Sequence, residues 1–411
     1  MDQNKNNESK KINDKLYTIC ILVMLVPMIA VFAMTLYAPM DKKTVSAKEN
    51  RTLVSKPEFN KDAVLNGQFM VQSEAFLGDH VYGRNQMVSI AADLEKFLKK
   101  DMEMSVVKTT NENKEIGEDY IVKDDRIVAL FVPEEEYVKN FVDNVNQIYD
   151  MIPEGIDKYM VATPTRIEFE EEELRKYAES QFNLQNYFYD NVAEDVTTID
   201  CYAEMQNAVR TLGINEIYYR TDHHWTHLGS FFAANAILFG MGCDLLNIED
   251  YEKVEKGNIF RGYLVSMHEK ETYHIESDNF VYYSVGTERK EKVYGLEGKD
   301  ITDCEEGYVT DPDRAGYYTF VQGLFQYAVL DGGNQEGDNL MIIMDSYTDA
   351  SATWLSERFH KVVLVDPRLY TGGKQGLLDL IEEYDINKFS VNIGTIVGGT
   401  YYSEKLAQLC E

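Results

Sequence analysis

The chain has 411 residues, is 44% hydrophobic and 27% charged, and contains only 8 prolines. That composition excludes a low-complexity disordered chain and leaves room for one large α/β domain with added segments. A net charge of −30 with no basic stripe excludes nucleic acid as a partner, because such a surface repels phosphates.

The first 15 residues are polar and include Lys5, Lys10, Lys11 and Lys15. From Leu16 to Met40 no charge interrupts the chain, and a hydrocarbon core requires only about 20 apolar residues. A signal peptide's apolar core is shorter and ends in a small-x-small site, for which Leu36-Tyr37-Ala38 is a poor match. The stretch reads as an uncleaved transmembrane anchor in which Pro27 is tolerable. The lysines ahead of it place residues 1–15 in the cytoplasm and the main domain outside a cell membrane crossed once, against a weaker opposing signal from Lys42 and Lys43. Residues 41–118 then read as a stalk and an amphipathic helical segment, with Phe69, Phe76, Met87, Ile90, Leu94 and Phe97 at helical spacing.

Residues 119–411 carry the pattern of an α/β domain. DRIVALFVP reads as a strand ending at Pro133. Val138, Phe141, Val142, Val145, Ile148, Tyr149 and Ile152 then share one helical face. Short apolar strands are expected at Lys158–Thr165 and in VTTIDCY, followed by a helix stopped by Gly240 and Gly242. Between about 245 and 335 the texture changes to tyrosines and alternating residues, the pattern of a hairpin-rich insertion. LMIIM, SATWLSERF, KVVLV, GLLDLIEEY and FSVNIGTIV then alternate strand and helix, which argues for a parallel sheet covered on both faces. Cys201, Cys243, Cys304 and Cys410 lie outside the anchor without a C-x-x-C pair, so disulfides and buried free thiols both stand.

In a parallel sheet ligands gather at the carboxyl ends of the strands. Two stretches matter on that ground. TDHHWTHLGS, Thr221–Ser230, holds three of the chain's seven histidines and one of its two tryptophans. Thr226 is a good N-cap, so His223 and His224 precede the helix and lack the i, i+4 geometry of a zinc site. No metal or other cofactor is expected. A structural corner, with Asp222 capping and Trp225 in the core, is one reading. The other is a D-x-H dyad, Asp222 fixing the tautomer of His224 so that the ring serves as a base. That reading demands a nucleophile, and Ser346 in LMIIMDSYTDAS follows a buried strand and opens a helix. There its hydroxyl lies near unpaired backbone N–H groups. The alternative is that Asp345 and Ser346 merely cap that helix.

TDHHWTHLGS resembles the signature of the DHHW protein family, which is related to the alginate O-acetylation proteins among SGNH-hydrolase-like acyltransferases. SAKENRTLVSKPEF, FLGDHVYGRNQ (with Asp79, His80 and Arg84) and MDSYTDAS resemble further segments of such proteins. The resemblance implies an SGNH-hydrolase-like three-layer domain with Ser346 as nucleophile, His224 as base and Asp222 as its orienting carboxylate. It implies O-acyl transfer, or ester hydrolysis, on an exported or cell-surface polysaccharide, with a membrane-bound O-acyltransferase as a partner that supplies acyl groups. Tyr347, Arg166, Gly262 and Gly323 are weaker candidates for contacts to substrate or oxyanion, with Asn334 beside them. His80 reads as a satisfied structural histidine. A non-catalytic anchored scaffold or glycan-binding protein is the competing reading, to which the 28 tyrosines lend themselves, and a metal-dependent hydrolase built on the histidines is the third.

Overall fold

The computed structural model describes residues 119–286, 289–295, 303–306, 316–321, 324–399 and 402–411. Before these it describes shorter stretches, among them 68–81 and 105–108. The chain divides into two units, Met1–Lys100 and Asp101–Glu411. In the first, a helix spans Gln68–His80, and His80 Nδ1 bonds to the Phe76 carbonyl at 2.9 Å as its ring stacks on Phe76. No described helix is long and apolar enough to cross a membrane. The span expected over Leu16–Met40, together with Arg84, falls largely outside the described residues.

The second unit is a mixed α/β structure built on an eight-stranded sheet. In chain order its strands are β1 Asp157–Thr163, β2 Val196–Asp200, β3 Glu291–Tyr294, β4 Asp303–Glu306, β5 Tyr327–Asp331, β6 Asn339–Met344, β7 Lys361–Val365 and β8 Lys388–Gly394. Across the sheet the order is β4-β3-β5-β7-β6-β8-β1-β2. From β7 to β2 the strands run parallel, as the alternating strand-helix pattern requires. β4, β3 and β5 continue the sheet antiparallel. They come from the insertion, so part of it is an edge of the main sheet and the sheet is mixed where a parallel one was expected.

Alternation along the strands sorts two cores. Met341 and Ile343 of β6, with Met160, Val363 and Val391, face a layer that includes α1 (Glu135–Met151) through Phe141, Val145 and Ile148. Leu340, Ile342 and Met344, with Val161 and Leu364, face α2 (His227–Gly240) and α3 (Tyr347–Leu355), where Phe231, Ile237 and Trp354 pack. Burial of such side chains stabilises by about 1.5–3 kcal/mol each before conformational entropy is counted. The strand expected in DRIVALFVP does form, as Arg126–Ala129, but it belongs to a separate three-stranded sheet with Ser105–Lys108 and Asp119–Lys123. Its apolar run was enough for a strand and carried no information about which sheet it joins. A hairpin of Lys253–Phe260 and Asp278–Tyr283 completes the insertion. Cys201, Cys243 and Cys410 are free thiols.

Candidate active site

Ser346 follows β6 after one residue, in the gap before α3. It takes helical backbone angles (φ −63°, ψ −16°), and its hydroxyl makes no cap bond to that helix. The oxygen lies instead 2.8 Å from His224 Nε2. His224 Nδ1 lies 2.7 Å from Asp222 Oδ1, which also accepts the His224 backbone N–H at 3.0 Å. Asp222 Oδ2 accepts from the Tyr263 N–H at 2.6 Å. The three side chains form one continuous hydrogen-bonded line, with the carboxylate buried and the serine half-buried.

The loop before α2 is held from several sides. Tyr218 and Trp225 bridge across it, so residues 219–224 form a closed turn. Asp278, on the insertion hairpin, accepts from the backbone N–H groups of Arg220 and Thr221, from the Thr221 hydroxyl and from Arg220 Nε, all between 2.7 and 3.0 Å. The Tyr317 ring stacks on His224 with centroids 3.7 Å apart and planes within 7°. Its hydroxyl accepts from Trp225 Nε1 at 3.0 Å and donates to the Tyr347 carbonyl at 3.3 Å. The histidine's plane is thus fixed by residues far away in sequence.

Electrostatics follow from burial and partners. Burial alone would push the Asp222 carboxyl up, but the imidazoles of His223 and His224 and the Tyr263 N–H outweigh it and hold it well below the usual carboxylate range. It is the ionised partner that a base histidine needs. Asp345 is raised to about 6 by burial, against donation from the Gly394 and Tyr347 N–H groups. Burial lowers His227 to about 3. His227 accepts the Tyr283 N–H on Nδ1 and therefore donates from Nε2 to Thr353 Oγ1 at 3.0 Å, a satisfied core histidine. Thr226 caps α2 by accepting the Gly229 N–H at 3.0 Å.

The weaker candidates sort differently. Gly262 is no free oxyanion donor, since its N–H is given to Thr221 Oγ1 at 2.9 Å. Its importance is steric: a Cβ there would lie 2.4 Å from Asp222 Cβ. Arg166 is buried, and its guanidinium bonds to Glu170, Asn215 Oδ1 and the Tyr218 and Tyr219 carbonyls, so it braces the loop and does not lie in a surface ion pair. The Tyr347 side chain is buried and donates to the His223 carbonyl, which makes it a positioning group. Asn334 lies before β6, at the end of the strand away from Ser346, and its amide donates to the Arg358 carbonyl. Gly323 lies outside the described residues. The Ser346 N–H has no acceptor among the described residues and stands beside the Ser346 hydroxyl at the start of α3.

Asp222, His223 and His224 each bring a possible metal-ligating atom within 4.8 Å of the others. Asp222 Oδ1 and His224 Nδ1 are already spent on each other, and His224 Nε2 is spent on Ser346, so of the three only His223 has ring nitrogens outside the hydrogen-bonded line. Residues that sequence reasoning missed are Asp278, Tyr263 and Tyr317. All three lie in the insertion without a motif; only the density of tyrosines hinted at an aromatic wall.

No curated protein matches the chain in sequence. Among solved structures, a DHHW family protein from Eubacterium siraeum is similar at a TM-score of 0.60 with 20% identity, over 74% of this chain and 96% of that one. Bacillus cereus PatB1, known with a sulfonyl adduct, is similar at a TM-score of 0.55 with 15% identity, over 69% and 96%. These likenesses are of fold. The family model described as DHHW protein matches residues 101–365, more than half the chain and including the Asp222–His224–Ser346 line, so the chain belongs to the DHHW protein family.

Proposed function

We propose that the chain is an SGNH-hydrolase-like serine enzyme that transfers an O-acyl group, acetyl by family resemblance, to an exported or cell-surface polysaccharide, or hydrolyses such an ester. The observation that carries the reading is the line from Asp222 through His224 to Ser346, at 2.7 and 2.8 Å. Ser346 Oγ attacks the acyl carbonyl while its proton passes to His224 Nε2. The Ser346 N–H is placed to receive the oxyanion. The bond from acyl carbon to leaving group breaks, and the leaving atom takes the proton back from His224. In the second half, an acceptor hydroxyl gives its proton to His224 and its oxygen displaces Ser346 Oγ, which recovers the proton. Transfer and hydrolysis differ only in whether a sugar or water is that acceptor.

The sulfonyl adduct of PatB1 favours the same chemistry, because sulfonylating reagents are trapped by activated nucleophiles. An anchor over Leu16–Met40 would hold the domain at the outer face of a cell membrane, where a membrane-bound O-acyltransferase could hand it acyl groups. The test is a fluorophosphonate probe on the full-length chain in detergent. Labelling in the wild type, lost in Ser346→Ala and His224→Ala, is the expected result. A folded wild type that resists both this probe and a small acyl ester would sink the proposal and favour a non-catalytic glycan-binding role.

A further inference from the structure

His223 is a second imidazole at this site, and the triad does not use it. Its ring lies against that of His224, centroids 3.8 Å apart and planes tilted by 38°. Both rings turn Nδ1 toward the same atom, Asp222 Oδ1, at 2.7 Å for His224 and 3.5 Å for His223. His223 Nδ1 makes no hydrogen bond, yet two adjacent imidazoles that turn the same edge toward one carboxylate oxygen carry their Nε2 atoms on the edge away from it. One Nε2 meets Ser346 Oγ; the other has no hydrogen-bond partner among the described residues.

The ring is well held for a group without a task. The His223 carbonyl accepts from Tyr347 Oη, and the Tyr263 and Tyr347 rings flank the imidazole at 6.0 and 6.2 Å. It also borders a small cavity lined by Ile127, Thr165, Arg166 and Ile396. Burial and the neighbouring His224 lower it to about 3, with Asp222 opposing, so the ring is neutral near pH 7. Beside a carboxylate its one proton belongs on Nδ1, which leaves the Nε2 lone pair as an acceptor. A sugar hydroxyl has one proton, and that proton must go to His224 during attack. The donor to His223 is therefore a second O–H on the same molecule.

We propose that His223 Nε2 binds the hydroxyl adjacent to the one being acylated, so that the site selects acceptors bearing two neighbouring hydroxyl groups. Water, with two O–H bonds, also satisfies it. This selectivity rests on the acyl-Ser346 reading above.

The test uses full-length chain acylated by 4-nitrophenyl acetate, with propane-1,2-diol and propan-1-ol as competing acceptors. The 4-nitrophenol burst reports acylation; the ratio of diol ester to propyl ester reports the second half. Wild type should favour the diol by about tenfold beyond its statistical advantage, the effect of one ordinary hydrogen bond. His223→Phe and His223→Leu should keep the burst and lose the preference, whereas His223→Gln, whose amide oxygen can accept, should retain part of it. An unchanged ratio in the apolar variants, no preference in wild type, or loss of the burst in both apolar variants would overturn the assignment. No burst in wild type, with no acetyl on Ser346, would instead remove the acyl-enzyme reading and this selectivity with it.

Discussion

The parallel strands of the main sheet and the insertion do different work at the site. The parallel half supplies Ser346 at the end of β6, a position fixed by a buried apolar strand running into a helix. The insertion, whose strands form the antiparallel edge, supplies Asp278, Tyr263 and Tyr317, which hold the Asp222–His224 loop in place. The parallel strands carry the proposed nucleophile on rigid elements, and the insertion sets the geometry of the proposed base. The proposed reactive groups are local features of the chain, while their orientation is a long-range product of folding.

The largest test of that division removes the proposed nucleophile. Ser346→Ala should lower turnover of 4-nitrophenyl acetate by at least about 10³-fold without changing the melting temperature by more than a few degrees, since a half-buried hydroxyl is lost. Next comes Gly262→Val in the insertion, which forces Cβ against Asp222. We expect a loss of about 10²-fold in kcat, because small misplacements of a base are costly; activity near wild type would show that the insertion does not set the carboxylate.

Tyr317→Leu should cost about tenfold in kcat, by freeing the His224 plane, and about 1–2 kcal/mol of stability through the lost stack and hydrogen bonds. Denaturant unfolding and steady-state kinetics on the same sample would check both. The smallest effect concerns His227, which touches the core and not the reacting atoms. Its folded value of about 3 lies below the ordinary 6.5, so below pH 6.5 the unfolded chain binds the extra proton and stability falls as pH falls toward 3. His227→Gln should flatten this part of the melting-temperature profile while leaving kcat within about threefold; an equally steep profile would mean the histidine is not the group responsible.

The same comparison explains what could be read in the sequence. Ser346 and His224 were legible because each adjoins an element boundary that hydrophobic periodicity and the Thr226 cap define locally. The core faces of β6, β7, β8 and α1 were legible for the same reason. Arg166 was correctly placed after a strand, yet its use depends on Glu170, Asn215 and two carbonyls that periodicity cannot bring together. The antiparallel edge was missed because a short alternating strand does not specify which sheet will take it. Tyr317 and Asp278 lack any local mark, since their partners lie 30 or more residues away in the chain.

The most direct measurement is the intact mass of the full-length chain, acid-quenched during turnover of 4-nitrophenyl acetate, followed by peptide mapping. The account predicts one acetyl group, carried by Ser346, absent from Ser346→Ala and built up only slowly in His224→Ala. Acetyl on another residue, or release of 4-nitrophenol by a chain that never carries acetyl on Ser346, would contradict it.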